Sequence, residues 1–418
     1  MRHSVLVRRA QTVLQQSSSS GRLTLLLAKC GVAAGSIVAL KLTYNVLSAD
    51  QFVDFNFLLL CFSLSAVVTV PFSRKIWIEN SNASAVSALL PGTLLVVLVY
   101  AAALSLVAAT MGRGYIGGQW IFFLTLPYVI AKNIERSFYN IYVTRRSYYL
   151  GMTFSIFFLL LEIAAAVIGG AFPGNELAMR ILLPSLFFPV FAYVISDIRF
   201  AEFHPNKILS SIWEEVFSNG SYRVVFLYLL MVAVVMVDRY GLITFANRPL
   251  VASSVSTKDA LLVVAYGISF STFLQVLLDW YRSAAFLEGE PTQDAWREAL
   301  KTCVIYLSLG SAAVISFPVL KMVGILPPQV GLFLWSMIIL RFAVIGCIMI
   351  FTADLTLAGT VTFRPLTSWA VYLPLSLGSY LVVFPHFGLD YTSAVILALA
   401  VAIAVLELIS FQRRMRRV

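Results

Sequence analysis

The stretch Ala394–Ile409 reads AVILALAVAIAVLELI: sixteen residues with one charge, Glu407, and no alternation of apolar with polar positions. With its flanks it reaches the roughly 20 residues that a helix rising about 1.5 Å per residue needs to cross a hydrocarbon core of about 30 Å. Leu94–Ala109, LLVVLVYAAALSLVAA, repeats the pattern. A transmembrane barrel would instead show segments of about ten residues in strict alternation. Working outward, 60% of the 418 residues are apolar and only 12% are Asp, Glu, Lys or Arg, against about half and about a quarter in a soluble domain. No water-soluble fold could hide that much apolar surface, so the chain is expected to be an integral membrane protein.

Apolar runs between polar breaks give twelve expected spans, at 24–47, 51–72, 87–111, 119–142, 148–171, 178–199, 223–246, 259–281, 299–320, 329–353, 367–386 and 391–411. An even count puts both termini on one side. The loops on that side, with the termini, carry 19 Lys and Arg, including Arg2, Arg8, Arg9, Arg145, Arg146, Arg413 and Arg414. The opposite loops carry five: Arg113, Arg180, Arg248, Lys258 and Lys321. Positive charge stays inside, so both termini are expected in the cytoplasm.

The longest connections, Phe200–Tyr222 and Arg282–Glu298, fall on the cytoplasmic side, and the first divides the spans six and six. The expectation is an all-α polytopic membrane protein of about twelve transmembrane helices in two six-helix halves around a central cavity, an organisation common in transporters. Its parts would be a cytoplasmic tail 1–22, a half 23–200, a cytoplasmic linker 201–222, a half 223–411 and a basic cytoplasmic tail 412–418. No internal repeat stands out. The opening MRHSVLVRRAQTVLQQSSSSGR lacks the apolar core and small-residue cleavage site of a cleaved signal. The net charge of +10 follows from loop topology rather than from a nucleic-acid partner. Cys30, Cys61, Cys303 and Cys347 each lie in an apolar run without metal-ligand spacing, so neither a metal site nor a cofactor is expected.

Ionisable side chains at bilayer depth cost about 2.5 to 3.5 kcal/mol on insertion scales and therefore face protein or water. Six cations fall inside spans: Lys29, Lys41, Lys132, Arg136, Arg239 and Arg341, with acidic Glu135, Glu162, Asp238, Asp279, Asp354 and Glu407. Lys132, Glu135, Arg136 and Tyr139 share one helical face. That face is either the wall of an aqueous cavity or a helix end whose long side chains snorkel to the headgroups. Lys29 and Lys41 have the same snorkelling alternative. Asp238 and Arg239 lie fifteen residues into the seventh span, beyond snorkelling range, and point about 100° apart, so each is expected to meet another helix. Arg341, near the midplane of the tenth span with no acid within a turn, is the prime candidate for a cavity cation.

Soluble-enzyme motifs are absent. There is no GxxxxGK[ST] loop for nucleotide, and His3, His204 and His386 sit near or beyond span ends. No large outer loop is present to hold the donor or acceptor of a membrane glycosyltransferase or polymerase. An enzyme is therefore not expected.

Three segments carry a family likeness: Leu25–Phe57, LLLAKCGVAAGSIVALKLTYNVLSADQFVDFNF; Glu135–Tyr149, ERSFYNIYVTRRSYY; and Val235–Phe245, VMVDRYGLITF with its Asp-Arg in the seventh span. The chain resembles the polysaccharide and O-antigen flippases of the multidrug/oligosaccharidyl-lipid/polysaccharide exporter superfamily. It departs from them after the seventh span, where NRPLVASSVSTKDA replaces the family's Gly-Tyr-Ala type of turn. The loop PFSRKIWIEN after span two also lacks the turn motif of the major facilitator class.

The resemblance implies a multi-pass protein of the bacterial inner membrane that flips isoprenoid-diphosphate-linked oligosaccharides for polysaccharide export. Its partners would be that substrate, membrane lipids and other polysaccharide assembly proteins. Arg341, Arg239, Arg136, Lys132 and Lys41 would be the substrate-binding cations, with Asp238 and Glu135 as candidate coupling carboxylates. A small-molecule exporter of the same superfamily and a membrane-embedded polysaccharide polymerase are the alternatives.

Overall fold

The structure, a computed structural model, describes residues 18–66, 97–102, 119–144, 148–195, 222–245, 255–287, 295–357 and 363–415. The basic N-terminal stretch, most of the third expected span, Arg113, Arg248 and nearly all of the linker at 201–222 lie outside the described residues.

Every regular element among the described residues is helical. In chain order they are α1 Ser18–Val46, α2 Ala49–Ala66, α3 Gln119–Thr144, α4 Tyr148–Gly169, α5 Glu176–Ile195, α6 Tyr222–Phe245, α7 Thr257–Leu287, α8 Ala295–Ile315, α9 Phe317–Met322, α10 Leu332–Leu357, α11 Phe363–Val382 and α12 Phe384–Met415. Residues 97–102 are helical as well.

Four of these are long and apolar enough to cross a bilayer, within Tyr149–Gly169, Glu176–Ile195, Leu332–Ile350 and Phe384–Ser410, and two shorter apolar stretches lie at Cys30–Val46 and Leu300–Ile315. The protein is an all-helical membrane protein. Helix α5 displays the inversion that a lipid solvent imposes: Leu186, Phe187, Val190, Tyr193 and Val194 are all exposed, while Arg180 and Ser185 are buried. In water that apolar face would lose about 25 cal/mol for every Å² left uncovered. In hydrocarbon it is satisfied, and the polar groups must find partners within the protein.

The chain divides into two compact units, Met1–Val46 with Leu64–Tyr222, and Leu47–Ser63 with Arg223–Val418. The second begins where the seventh expected span begins, and it also takes in the first part of α2. A reciprocal cap explains the sharp start of α2: Gln51 N–H donates to Ser48 Oγ, and Ser48 N–H donates to Gln51 Oε1. Ser256 and Asp259 start α7 with a related cap. Lys258, expected in an outer loop, instead sits in the first turn of α7 and donates from Nζ to the Leu47 carbonyl at 2.7 Å.

In the first unit α4 packs on α1, α3 and α5, and α3 packs on α5. In the second, α10 is the hub for α7, α8 and α12, and α11 packs on α12. Small residues permit these approaches. A Cβ on Gly267 would strike the Phe342 ring, and one on Gly241 would strike the Tyr380 ring. Helix α12 is kinked near its start at Gly388, whose φ of 76° favours glycine.

Candidate functional site

Among the described residues a buried ion-pair cluster stands in each unit. The second unit's is built on α6, α10 and α11. Asp238 and Arg341 are each 1% exposed, and Arg341 Nη1 forms an ion pair with Asp238 Oδ2. Tyr380 donates its hydroxyl to Asp238 Oδ1 at 2.8 Å. Gly241, one turn beyond Asp238, leaves the room that Tyr380 fills, so a missing side chain on α6 lets the phenol reach the carboxylate. Trp369, Tyr372, Ser376 and Tyr380 recur along one face of α11 and are all buried. The guanidinium also lies 4.7 Å from the Phe342 ring centre.

Asp238 thus meets another helix, as its depth required, and Arg341 is not a lone cation: its counter-charge comes from α6 rather than from its own helix. The cluster is rich in unused donors. Arg341 Nε and Nη2, Trp369 Nε1 and Ser376 Oγ have no hydrogen-bond acceptor among the described residues.

Arg239 is different. It is 4% exposed, its Nη1 reaches only the Met236 sulfur at 3.6 Å, and its Nε has no acceptor. Among the described residues no carboxylate pairs with it. A guanidinium stays charged under all ordinary conditions, so α6 carries a buried positive charge that no described carboxylate neutralises.

The first unit's cluster is a ladder between α3 and α4. Tyr128 donates to Glu162 Oε1 at 2.7 Å. Lys132 lies over the Phe158 ring, 4.1 Å from its centre. Ser155 donates to Glu135. The three pairs run in opposite chain directions, as an antiparallel helical pair requires. Lys132 Nζ is also 4.0 Å from Glu135 Oε2, and its charge acts on Glu162. At the Glu162 end, Arg180 of α5 brings Nη2 to 3.4 Å from Glu162 Oε1, and its Nε donates to Thr43 Oγ1 of α1 at 3.0 Å.

Arg180, counted with the outer loops although it lies at the edge of the expected span 178–199, is carried into the bundle by α5, which starts at Glu176. Glu162 and Arg180 are the functional candidates that the sequence did not single out together. The one signal was Glu162 standing alone in an apolar run. Of the shared face on α3, Lys132, Glu135 and Tyr139 are half-buried and Arg136 is exposed. Lys41 is half-buried with Nζ 4.7 Å from the Tyr44 ring centre. The structure therefore gathers Lys132 and Glu135 in one unit and Asp238 and Arg341 in the other, with Arg239 beside Asp238 in sequence but outside its ion pair. Among the described residues no group of His, Cys, Asp and Glu could hold a metal.

No protein-family model, characterised protein or solved structure matches the chain.

Proposed function

We propose that the protein is a flippase of the bacterial inner membrane that carries isoprenoid-diphosphate-linked oligosaccharides from the cytoplasmic to the outer face, supplying O-antigen, exopolysaccharide or capsule assembly. In this reading twelve spans, with both termini in the cytoplasm, form two six-helix halves that alternate in access around a central cavity. The protein acts as a carrier and makes or breaks no bond in its cargo.

The observation that carries the reading is Arg239. Among the described residues no carboxylate meets it; a cation so held in a membrane helix costs several kcal/mol, on the order of a broken buried pair, and a diphosphate is the partner a planar guanidinium matches best. Arg341 supports it differently. Its charge is spent on Asp238, but its free Nε and Nη2, with Trp369 Nε1 and Ser376 Oγ, can donate to phosphate or sugar oxygens. The bias of basic residues toward one set of loops and the likeness of Val235–Phe245 to the flippase family point the same way.

The test is a deletion strain. Completed lipid-linked oligosaccharide should accumulate and stay inaccessible to a lectin applied to intact spheroplasts, while wild-type cells label. Labelling equal to wild type contradicts the proposal. Altered sensitivity to small toxic cations with normal polysaccharide would favour the exporter alternative, and accumulation of single surface units would favour a polymerase.

A further inference from the structure

Asp238 meets Arg341 at Nη1 and leaves another edge of the guanidinium whole. On that edge Nε and Nη2 form a two-pronged donor, and neither reaches an acceptor among the described residues. Trp369 Nε1 on α11 is likewise without one. Tyr372, one turn along the same buried face, ties the two together: its ring centre lies 6.3 Å from that of Trp369, and its phenol interacts with the Arg341 charge. Trp369 is 0% and Arg341 1% exposed, so bulk water is shut out and each unmade bond is costly. The charge of Arg341, however, is already spent. An anion on the free edge would set two negative charges against one guanidinium at low dielectric, whereas an uncharged oxygen accepts from it without that penalty. We infer that Arg341 and Trp369 form a sugar subsite, which takes hydroxyl or carbonyl oxygens of the cargo's oligosaccharide and leaves the diphosphate to Arg239.

The surroundings suit a sugar. Trp369 and Tyr372 meet edge to face, and the guanidinium lies 4.7 Å from the Phe342 ring centre. An aromatic wall carrying a few placed donors is how a largely apolar site orients a polar ligand. Water fits the same edge less well, because it brings two hydrogens of its own to donors that offer it no acceptor. The inference deepens the flippase reading, on which it rests, by separating recognition of the sugar from recognition of the diphosphate. In the conformation described the subsite is closed, and the sugar reaches it as the helices part during alternating access.

The test is equilibrium binding to the full-length protein in lipid nanodiscs with two probes: lipid-linked oligosaccharide extracted from the cells that make the protein, and the bare isoprenoid diphosphate without sugar. Wild type should bind the sugar-bearing lipid about tenfold tighter or more, as two or more added hydrogen bonds require. Trp369→Phe keeps a ring but loses the N–H, and should cut that ratio about fivefold. Arg341→Lys keeps a charge for Asp238 but loses the two-pronged edge; it should cut the ratio at least as far, and it carries the test if Trp369→Phe fails to fold. Arg239→Gln should weaken both lipids in parallel and keep the ratio. A wild-type ratio near one, or a ratio that survives both Trp369→Phe and Arg341→Lys, overturns the subsite and leaves its donors to water. An Arg341→Lys protein that loses both lipids equally overturns it too and returns Arg341 to the diphosphate. If wild type binds neither lipid, the flippase reading fails and takes the subsite with it, so the two failures are told apart.

Discussion

Both units bury an arginine, a carboxylate and a tyrosine, yet they use them in opposite ways. Asp238, Arg341 and Tyr380 form a closed set in which one cation meets one anion. Glu162, Arg180 and Tyr128 belong to an open set, extended by Lys132, Glu135, Ser155 and Thr43, in which each cation has a second contact. Burial alone does not tell a fixed ion pair from an exchangeable one. The number of alternative partners does, because that number sets the cost of removing a charge.

The largest effect is expected from breaking the closed set. Asp238→Ala should cost about 3 to 5 kcal/mol by stranding Arg341, read as an early thermal transition in detergent, and Asp238→Ala with Arg341→Met should recover most of it. If the single and double variants are equally unstable, the pair is not closed. Glu162→Gln should cost less than half as much as Asp238→Ala in the same assay, since Lys132 and Arg180 keep partners; an equal loss would erase the distinction between the clusters.

Gly241→Ala sharpens the closed set from its packing side. The added methyl meets the Tyr380 ring, and overpacking of this kind costs about 1 to 3 kcal/mol. It should be relieved by Tyr380→Leu, as read by thermal unfolding of the double variant. The smallest effect belongs to Tyr128→Phe, where loss of one hydrogen bond to a carboxylate that keeps its other partners should cost about 1 kcal/mol.

Much of the fold was legible because apolar length is a local property. The runs at 148–171, 178–199, 329–353 and 391–411 reappear as the four long apolar helices. The site was legible only in parts. Lys132 and Glu135 could be placed together, because i, i+3 neighbours on a helix need no tertiary knowledge. Asp238 could be expected to meet another helix but its partner could not be named, because pairing with Arg341 depends on how α6 and α10 pack. Arg180 stands at the edge of its expected span, where a basic residue reads as belonging to the loop, and only the packing of α5 on α4 and α3 reveals that it turns inward. The exposure of Arg136 beside half-buried Lys132 and Glu135 depends on the direction of the α4 contact, which helical spacing does not encode.

The central claim is that Arg239 holds a positive charge for an anionic cargo. It is tested most directly by the amount of surface polysaccharide in a deletion strain carrying wild type, Arg239→Lys or Arg239→Gln at equal membrane abundance. The account predicts at least a tenfold loss for Arg239→Gln and partial recovery for Arg239→Lys, which keeps the charge but not the two-pronged geometry. Wild-type polysaccharide in the Arg239→Gln strain would contradict it.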